Sequence, residues 1–336
     1  MGVGRDVKPQ PPEPLLRVDD LRVSFETDRG VLRAVDGVSF DVRPGEVVGL
    51  VGESGCGKSV TALAVMRLIA MPPGRIESGR ILFRGRNLLD LPPAAMRGIR
   101  GAAISMIFQD PMTALSPLHR VGAQMAEAWR FHRAAAGAEA KALAEDWLRR
   151  VGIPAPSERL LSYPFELSGG MRQRVMIAMA LMHRPALVIA DEPTTALDVT
   201  VQAQVFDVMM AAKERDTSVL LITHDMGVVW ERCERILVMY ASRIAEEGRV
   251  DEIFAAPSHP YTEGLLDSLP SRQRRGARLR TIPGQVPSPL AWPAGCRFSD
   301  RCPCAFDRCR RECPPLYDVS PGHRAACFLR DPAGGG

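Results

Sequence analysis

Eight consecutive residues carry the first chemical signal in this 336-residue chain. Gly52-Glu53-Ser54-Gly55-Cys56-Gly57-Lys58-Ser59 fits the pattern GxxxxGK[ST]. Gly52, Gly55 and Gly57 let the backbone curl so that successive N–H groups face one phosphate, and a helix opening just after them adds its positive N-terminal potential. Lys58 can then reach the terminal phosphate oxygens of a nucleotide, and the Ser59 hydroxyl can ligate Mg²⁺. Ser54, Cys56 and Val60 complete the candidate binding set. Cys56 fills the place of a small residue and is assigned no chemistry of its own. A second acidic element must share the metal. Leu187-Val188-Ile189-Ala190 is a continuous apolar run that ends in Asp191 and Glu192. Asp191 can hold Mg²⁺ through water, and Glu192 can polarise the attacking water as general base.

These groups need elements to hold them. Val47–Val51 reads as the strand that feeds the glycine-rich loop, and a helix is expected from about Ser59 to Ile69. Leu21–Phe25, Val38–Val42, Ile81–Phe83, Ile104–Phe108, Ala186–Ala190, Val219–Thr223 and Ile236–Met239 are further strand candidates. Residues from about 115 to 183 read as mainly helical, with further helices near 199–214 and 226–233. Met176, Met179 and Met182 recur at helical spacing and read as core filler. Short apolar runs alternating with helices imply an α/β fold around a buried, parallel sheet. From Pro257 the composition turns Pro-rich and then Cys-rich, which puts a boundary near residue 256.

Composition excludes several classes. A net charge of +4 on 336 residues is too small to argue for nucleic acid. The one dense basic run, Arg272 to Arg280, reads as a solvated linker or as a contact for anionic lipid or an acidic partner. No stretch approaches the ~18 apolar residues needed to cross a bilayer. Residues 1–14 read as a disordered tail with no apolar signal-peptide core. The chain is therefore expected in the cytosol, reaching a membrane only through partners. Six of the eight cysteines, Cys296, Cys302, Cys304, Cys309, Cys313 and Cys327, fall near the C-terminus. In a reducing compartment such a group reads as a metal site before it reads as disulfides. Four thiolates suit an iron–sulfur cluster or tetrahedral zinc, and a site without metal is the third reading.

Further motifs narrow the class. Leu167-Ser168-Gly169-Gly170-Met171-Arg172-Gln173 resembles the signature of the ABC ATPases, with Met171 where Gln is common. Gln109 after Ile104–Phe108, Ala196-Leu197-Asp198, and His224 after Val219–Thr223 are similar to that family's Q-loop, D-loop and switch histidine. The resemblance covers residues from about 15 to 255. It implies a P-loop NTPase (RecA-like) core with an antiparallel β subdomain and an inserted helical subdomain at about 90–180. It further implies Phe25 on the adenine, Gln109 on Mg²⁺ and water, and Asp198 in the dimer. His224 would lie on the γ-phosphate, with Ser168 and Gly170 presented to ATP bound by an opposing subunit.

Phe108-Gln109-Asp110-Pro111-Met112-Thr113-Ala114-Leu115-Ser116-Pro117, Pro257-Ser258-His259-Pro260-Tyr261-Thr262 and the cysteine-rich region at 256–330 resemble the peptide and nickel importer branch. In relatives with this cysteine pattern four thiolates hold a [4Fe–4S] cluster, which points here to Cys296, Cys302, Cys309 and Cys327, with Cys304 and Cys313 as extras. The branch implies ATP and Mg²⁺ as cofactors and a peripheral place on the cytoplasmic face of the inner membrane. Its partners would be two permease subunits, a second and non-identical ATPase, and an extracytoplasmic binding protein. Import of nickel chelates or glutathione, or a soluble non-transport ATPase, are the alternatives.

Overall fold

The computed structural model describes residues 13–110, 114–133, 137–193, 199–269 and 280–334. Two sheets organise them. The first is antiparallel and takes the N-terminal strands β1 (Leu16–Thr27), β2 (Gly30–Val42), β4 (Gly74–Phe83) and β5 (Arg86–Asn87) in the order β2-β1-β4-β5. The second has eight strands. Its middle is formed by β3 (Val47–Val51), β6 (Ile104–Ile107), β7 (Leu187–Asp191), β8 (Ser218–Ile222) and β9 (Arg235–Tyr240). Pairing across β9-β3-β8-β7-β6 is parallel throughout.

The apolar runs form strands because both faces of this sheet are covered. Val48 and Leu50 of β3 join Ile189, Leu220 and Leu237 in the core shared with the antiparallel sheet. Val47 and Val51 join Val188, Leu221 and Val238 in a second core beneath the helices. The helices Val121–His132, Gly137–Arg150 and Gly169–Leu181 lie in sequence between β6 and β7 and form the expected helical insertion. Val121, Met125, Trp147 and Leu148 bury their apolar stripes against the second core.

The helix after the phosphate loop is shorter than expected. It spans Lys58–Val65 rather than reaching Ile69. Arg67 takes a left-handed conformation with φ 50°, and Leu68 N–H turns back to Leu63 O at 2.8 Å. Arg100 satisfies the freed end by donating to Met66 O at 2.8 Å and to Arg67 O at 2.6 Å.

The C-terminal region is continuous with the eight-stranded sheet. β10 (Arg243–Arg249) pairs with β9, and the hairpin of β11 (Tyr317–Ser320) and β12 (His323–Ala325) adds to β10. Glu246 of β10 is fully buried and locks this junction. It accepts from Ser258 N–H at 2.6 Å, from His259 N–H at 2.9 Å, and bonds His323 Nε2 at 2.7 Å. Burial alone would raise this carboxyl, but His323 and the two backbone donors hold it below the usual carboxylate range. A folded pKa below the unfolded one stabilises at every pH above about 4.3, and the gain is lost as pH falls through the folded value. Glu246→Gln therefore lowers stability at neutral pH by about 3 kcal/mol, and the gap to wild type narrows in acid. Thermal unfolding of both chains across pH 3–8 measures this.

Candidate functional site

The glycine-rich loop sits between β3 and the helix Lys58–Val65, as its spacing requires. Two of its glycines are forced by close approach. A Cβ on Gly52 (φ 151°) would stand 2.1 Å from Met239 O, and one on Gly57 (φ 103°) would stand 2.2 Å from Ala34 O. Lys58 is buried and donates to Gly52 O at 2.8 Å and Glu53 O at 3.1 Å, so its ammonium spans the mouth of the loop. The Ser59 hydroxyl donates to Asp191 Oδ1 at 2.9 Å. Burial, opposed by that hydrogen bond, raises the Asp191 carboxyl above its ordinary value, and neighbouring Glu192 pushes the same way. A divalent cation placed beside this oxygen pair would favour the ionised form, because it supplies the missing positive charge.

Glu192 follows β7 in a left-handed conformation, φ 43°, with its N–H donating to Ile222 O at 2.9 Å. This turn throws its carboxylate off the strand end. Gln109 Nε2 donates to Glu192 Oε2 at 3.1 Å, and exposed His224 places Nδ1 at 3.6 Å from the same oxygen. Three residues from the ends of three parallel strands thus meet at one carboxylate oxygen. A water among them could be oriented, deprotonated and aimed at a phosphorus held by the loop.

One pocket joins these groups. Phe25, Ser54, Gly55, Gly57, Lys58, Ser59, Val60, Gln109, Glu192 and His224 all line it. Gly52, Cys56 and Asp191 are buried and do not line it; burial raises the Cys56 thiol pKa. Half-buried Phe25 offers an aromatic face at the rim, the feature a purine would stack on. Leu32, Ala34 and Pro289 also line the pocket. The motifs gave no signal for them, because they come from β2 and from the C-terminal region.

Ser168 and Gly170 stand apart. Ser168 caps the helix Gly169–Leu181 by accepting from Met171 N–H at 3.3 Å. Neither residue lines the pocket; Ser168 is exposed and Gly170 half-buried on the helical insertion. Asp198 lies outside the described residues, as do 111–113 of the extended Q-loop and 272–279 of the basic run.

The cysteines converge without forming a ready ion site. Cys296, Cys302, Cys304, Cys309 and Cys327 line one cavity together with His259, Phe298 and Phe328. Cys313 lines a neighbouring one and accepts from Arg243 at 2.8 Å. Burial pushes the Cys296 thiol up to about 12 and Cys302 up to about 11, and neighbouring thiols add to both. Among the described residues no group of three or more His, Cys, Asp or Glu is arranged to hold a metal ion. The metal expected at Cys296, Cys302, Cys309 and Cys327 thus meets a shared cavity but no preformed single-ion geometry. Also among the described residues, no helix is long and apolar enough to cross a membrane.

Known proteins match both halves of the chain. Residues 35–195 match the family model described as ABC transporter, and residues 245–309 match the oligopeptide/dipeptide transporter C-terminal region. The chain is 53% identical over 316 residues to a probable peptide ABC transporter ATP-binding protein of Sinorhizobium fredii, covering 94% of each. It is 50% identical to the oligopeptide transport ATP-binding protein OppD of Salmonella typhimurium, covering 95% of each. It is 49% identical to the dipeptide transport ATP-binding protein DppD of Bacillus subtilis, over 95% of this chain and 96% of that one. Among solved structures, the ATP-binding cassette MJ0796, a dimer bound to ADP and Pi, superposes with a TM-score of 0.63 at 25% identity. That match covers 70% of this chain and 98% of the cassette. Sequence relatives that span nearly the whole chain, together with a cassette fold around the phosphate loop, show that the chain belongs to the ABC transporter family, among members that carry the oligopeptide/dipeptide transporter C-terminal region.

Proposed function

We propose that this chain binds and hydrolyses ATP with Mg²⁺ and so drives import of di- or oligopeptides through a membrane transporter. The observation that carries the ATPase reading is the meeting of Gln109, His224 and Glu192 at one oxygen beside the Lys58–Ser59–Asp191 phosphate and metal site. In this reading Ser59 and Asp191 hold Mg²⁺ with Gln109, and Glu192 is the general base. Phe25 stacks on adenine. Ser168 and Gly170 serve ATP bound by an opposing ATPase, and Asp198 of this chain's D-loop takes part in the same dimer. The peptide reading is supported by the relatives named for oligopeptide and dipeptide transport.

The transporter would comprise two permease chains, this ATPase and a related second one on the cytoplasmic face, supplied by an extracytoplasmic binding protein. Exposed Leu118, Leu161 and Phe165 suit permease docking, since Val121 N–H donates to Ser162 O at 2.9 Å and brings their two segments together. Affinity purification of the tagged chain from mildly solubilised membranes tests the assembly. Two polytopic membrane proteins and a second ATPase are expected. Recovery from the soluble fraction alone would overturn the transport reading and leave the ATPase intact.

Cys296, Cys302, Cys309 and Cys327 would hold a [4Fe–4S] cluster as a structural cross-link of the C-terminal region. The donor type fits, since all four cysteines line one cavity and thiolates are the ligands such a cluster takes. Anaerobic purification should give brown protein with about four irons and four sulfides per chain. Colourless protein with stoichiometric zinc would overturn this assignment.

A further inference from the structure

The C-terminal region touches the pocket at one point and its phosphate loop at two. Pro289 lines the pocket, and its carbonyl accepts from Arg33 N–H at 3.3 Å. The hydroxyl of fully buried Tyr261 accepts from Glu53 N–H at 2.9 Å. Arg301 grips the Glu53 carboxylate with two parallel bonds, 2.7 Å to Oε2 and 3.0 Å to Oε1.

The Arg301 contact is a built one. Its side chain is 6% exposed and lies across the rings of Tyr240 and Phe298. A guanidinium has five N–H donors, and here each has an acceptor. Besides the two on Glu53, Nε donates to Pro283 O at 2.9 Å, and the remaining two reach Tyr240 Oη and Ile282 O at 3.3 Å each. Glu53 is the second residue of the phosphate loop, and its carbonyl accepts from Lys58 at 3.1 Å. One residue thus takes Arg301 on its side chain and Lys58 on its backbone.

Arg301 itself sits on the turn between Cys296 and Cys302. Ser299 N–H donates to Cys296 O and Arg301 N–H to Phe298 O, both at 3.0 Å. The cysteines at the two ends of that turn face the shared cavity. The turn is therefore fixed at one side by the cysteine cavity and at the other by the phosphate loop.

We propose that Arg301 is a positioning residue for the phosphate loop, acting through Glu53, and that it couples the cysteine-bearing turn to nucleotide binding. The proposal rests on the reading of the pocket as an ATP site. Arg301 touches no reacting group. It holds the curl of the loop in place before ligand arrives, so the ordering cost is not charged to binding. Losing it weakens ATP affinity and leaves the bound-state chemistry alone. Coupling of this kind is reciprocal, so ATP must in turn steady the turn at 296–302.

The test uses the full chain, with Arg301→Lys and Glu53→Gln. Lysine keeps the charge but cannot make the paired bonds. ATP affinity measured without Mg²⁺, so that nothing is hydrolysed, should fall about tenfold in both variants. In the assembled transporter KM should rise by the same factor while kcat stays within about twofold. Hydrogen–deuterium exchange gives a readout that simple structural support would not move. ATP should slow exchange at 52–59 and at 296–302 in the wild-type chain, but only at 52–59 in Arg301→Lys. If Arg301→Lys fails to fold, Glu53→Gln alone decides the affinity question. Wild-type affinity in the variants, or a turn at 296–302 indifferent to ATP in the wild-type chain, would overturn the coupling. A wild-type chain that does not bind ATP at all would overturn the nucleotide reading instead.

Discussion

Glu192→Gln is expected to bind ATP as tightly as the wild-type chain and to turn it over about a thousandfold more slowly. The substitution keeps the shape and the Oε atom that Gln109 and His224 approach at 3.1 and 3.6 Å. It removes only the capacity to take a proton from the attacking water. In the proposed reading the phosphates are held by Lys58 and the metal by Ser59 and Asp191 with Gln109, none of which the substitution changes, so affinity should survive. Single-turnover hydrolysis and equilibrium ATP binding, measured on the same preparation, separate the two effects. Multiple-turnover hydrolysis near the wild-type rate would remove Glu192 from the role of base.

Lys58→Ala has the opposite signature, failing at binding. The Lys58 ammonium is buried and held at the loop mouth by two carbonyls of the loop itself, where its charge would meet the phosphates of a bound nucleotide. Charge-assisted hydrogen bonds contribute about 1.5–3 kcal/mol each, so losing those to the phosphates raises the ATP dissociation constant roughly a hundredfold. The variant should still fold, because the alanine leaves the glycine turns of the loop unchanged. A thermal unfolding curve near that of the wild type, without the upward shift that ATP gives the parent chain, is the expected pair of results.

Much of this site is legible in the amino-acid sequence. Strands buried on both faces read as unbroken apolar runs, and their ends deliver Gln109, Asp191, Glu192 and His224 to one place. β10 is not legible for the converse reason. Its sequence, Arg-Ile-Ala-Glu-Glu-Gly-Arg, looks solvated, yet Glu246 and Glu247 are buried. Their partners, His323 and Arg324, lie 77 residues away, so nothing local reports the burial. The Arg301–Glu53 pair spans 248 residues and is invisible on the same grounds. The early end of the helix Lys58–Val65 depends on Arg67 adopting φ 50° while Arg100 caps the turn, and neither residue is a standard helix stop.

The hairpin of β11 and β12 has a consequence for solubility. Without it, seven-residue β10 would end the sheet and present a row of unpaired backbone groups along one side. Such a margin is a template on which another chain can add a strand. With the hairpin in place the sheet closes instead on β11, four residues long, with Asp318 exposed, while the opposite margin is four-residue β6. Both margins are thus short. The cysteine-rich region, besides reaching the phosphate loop, thus covers part of the β10 edge, at Glu246 and Glu247.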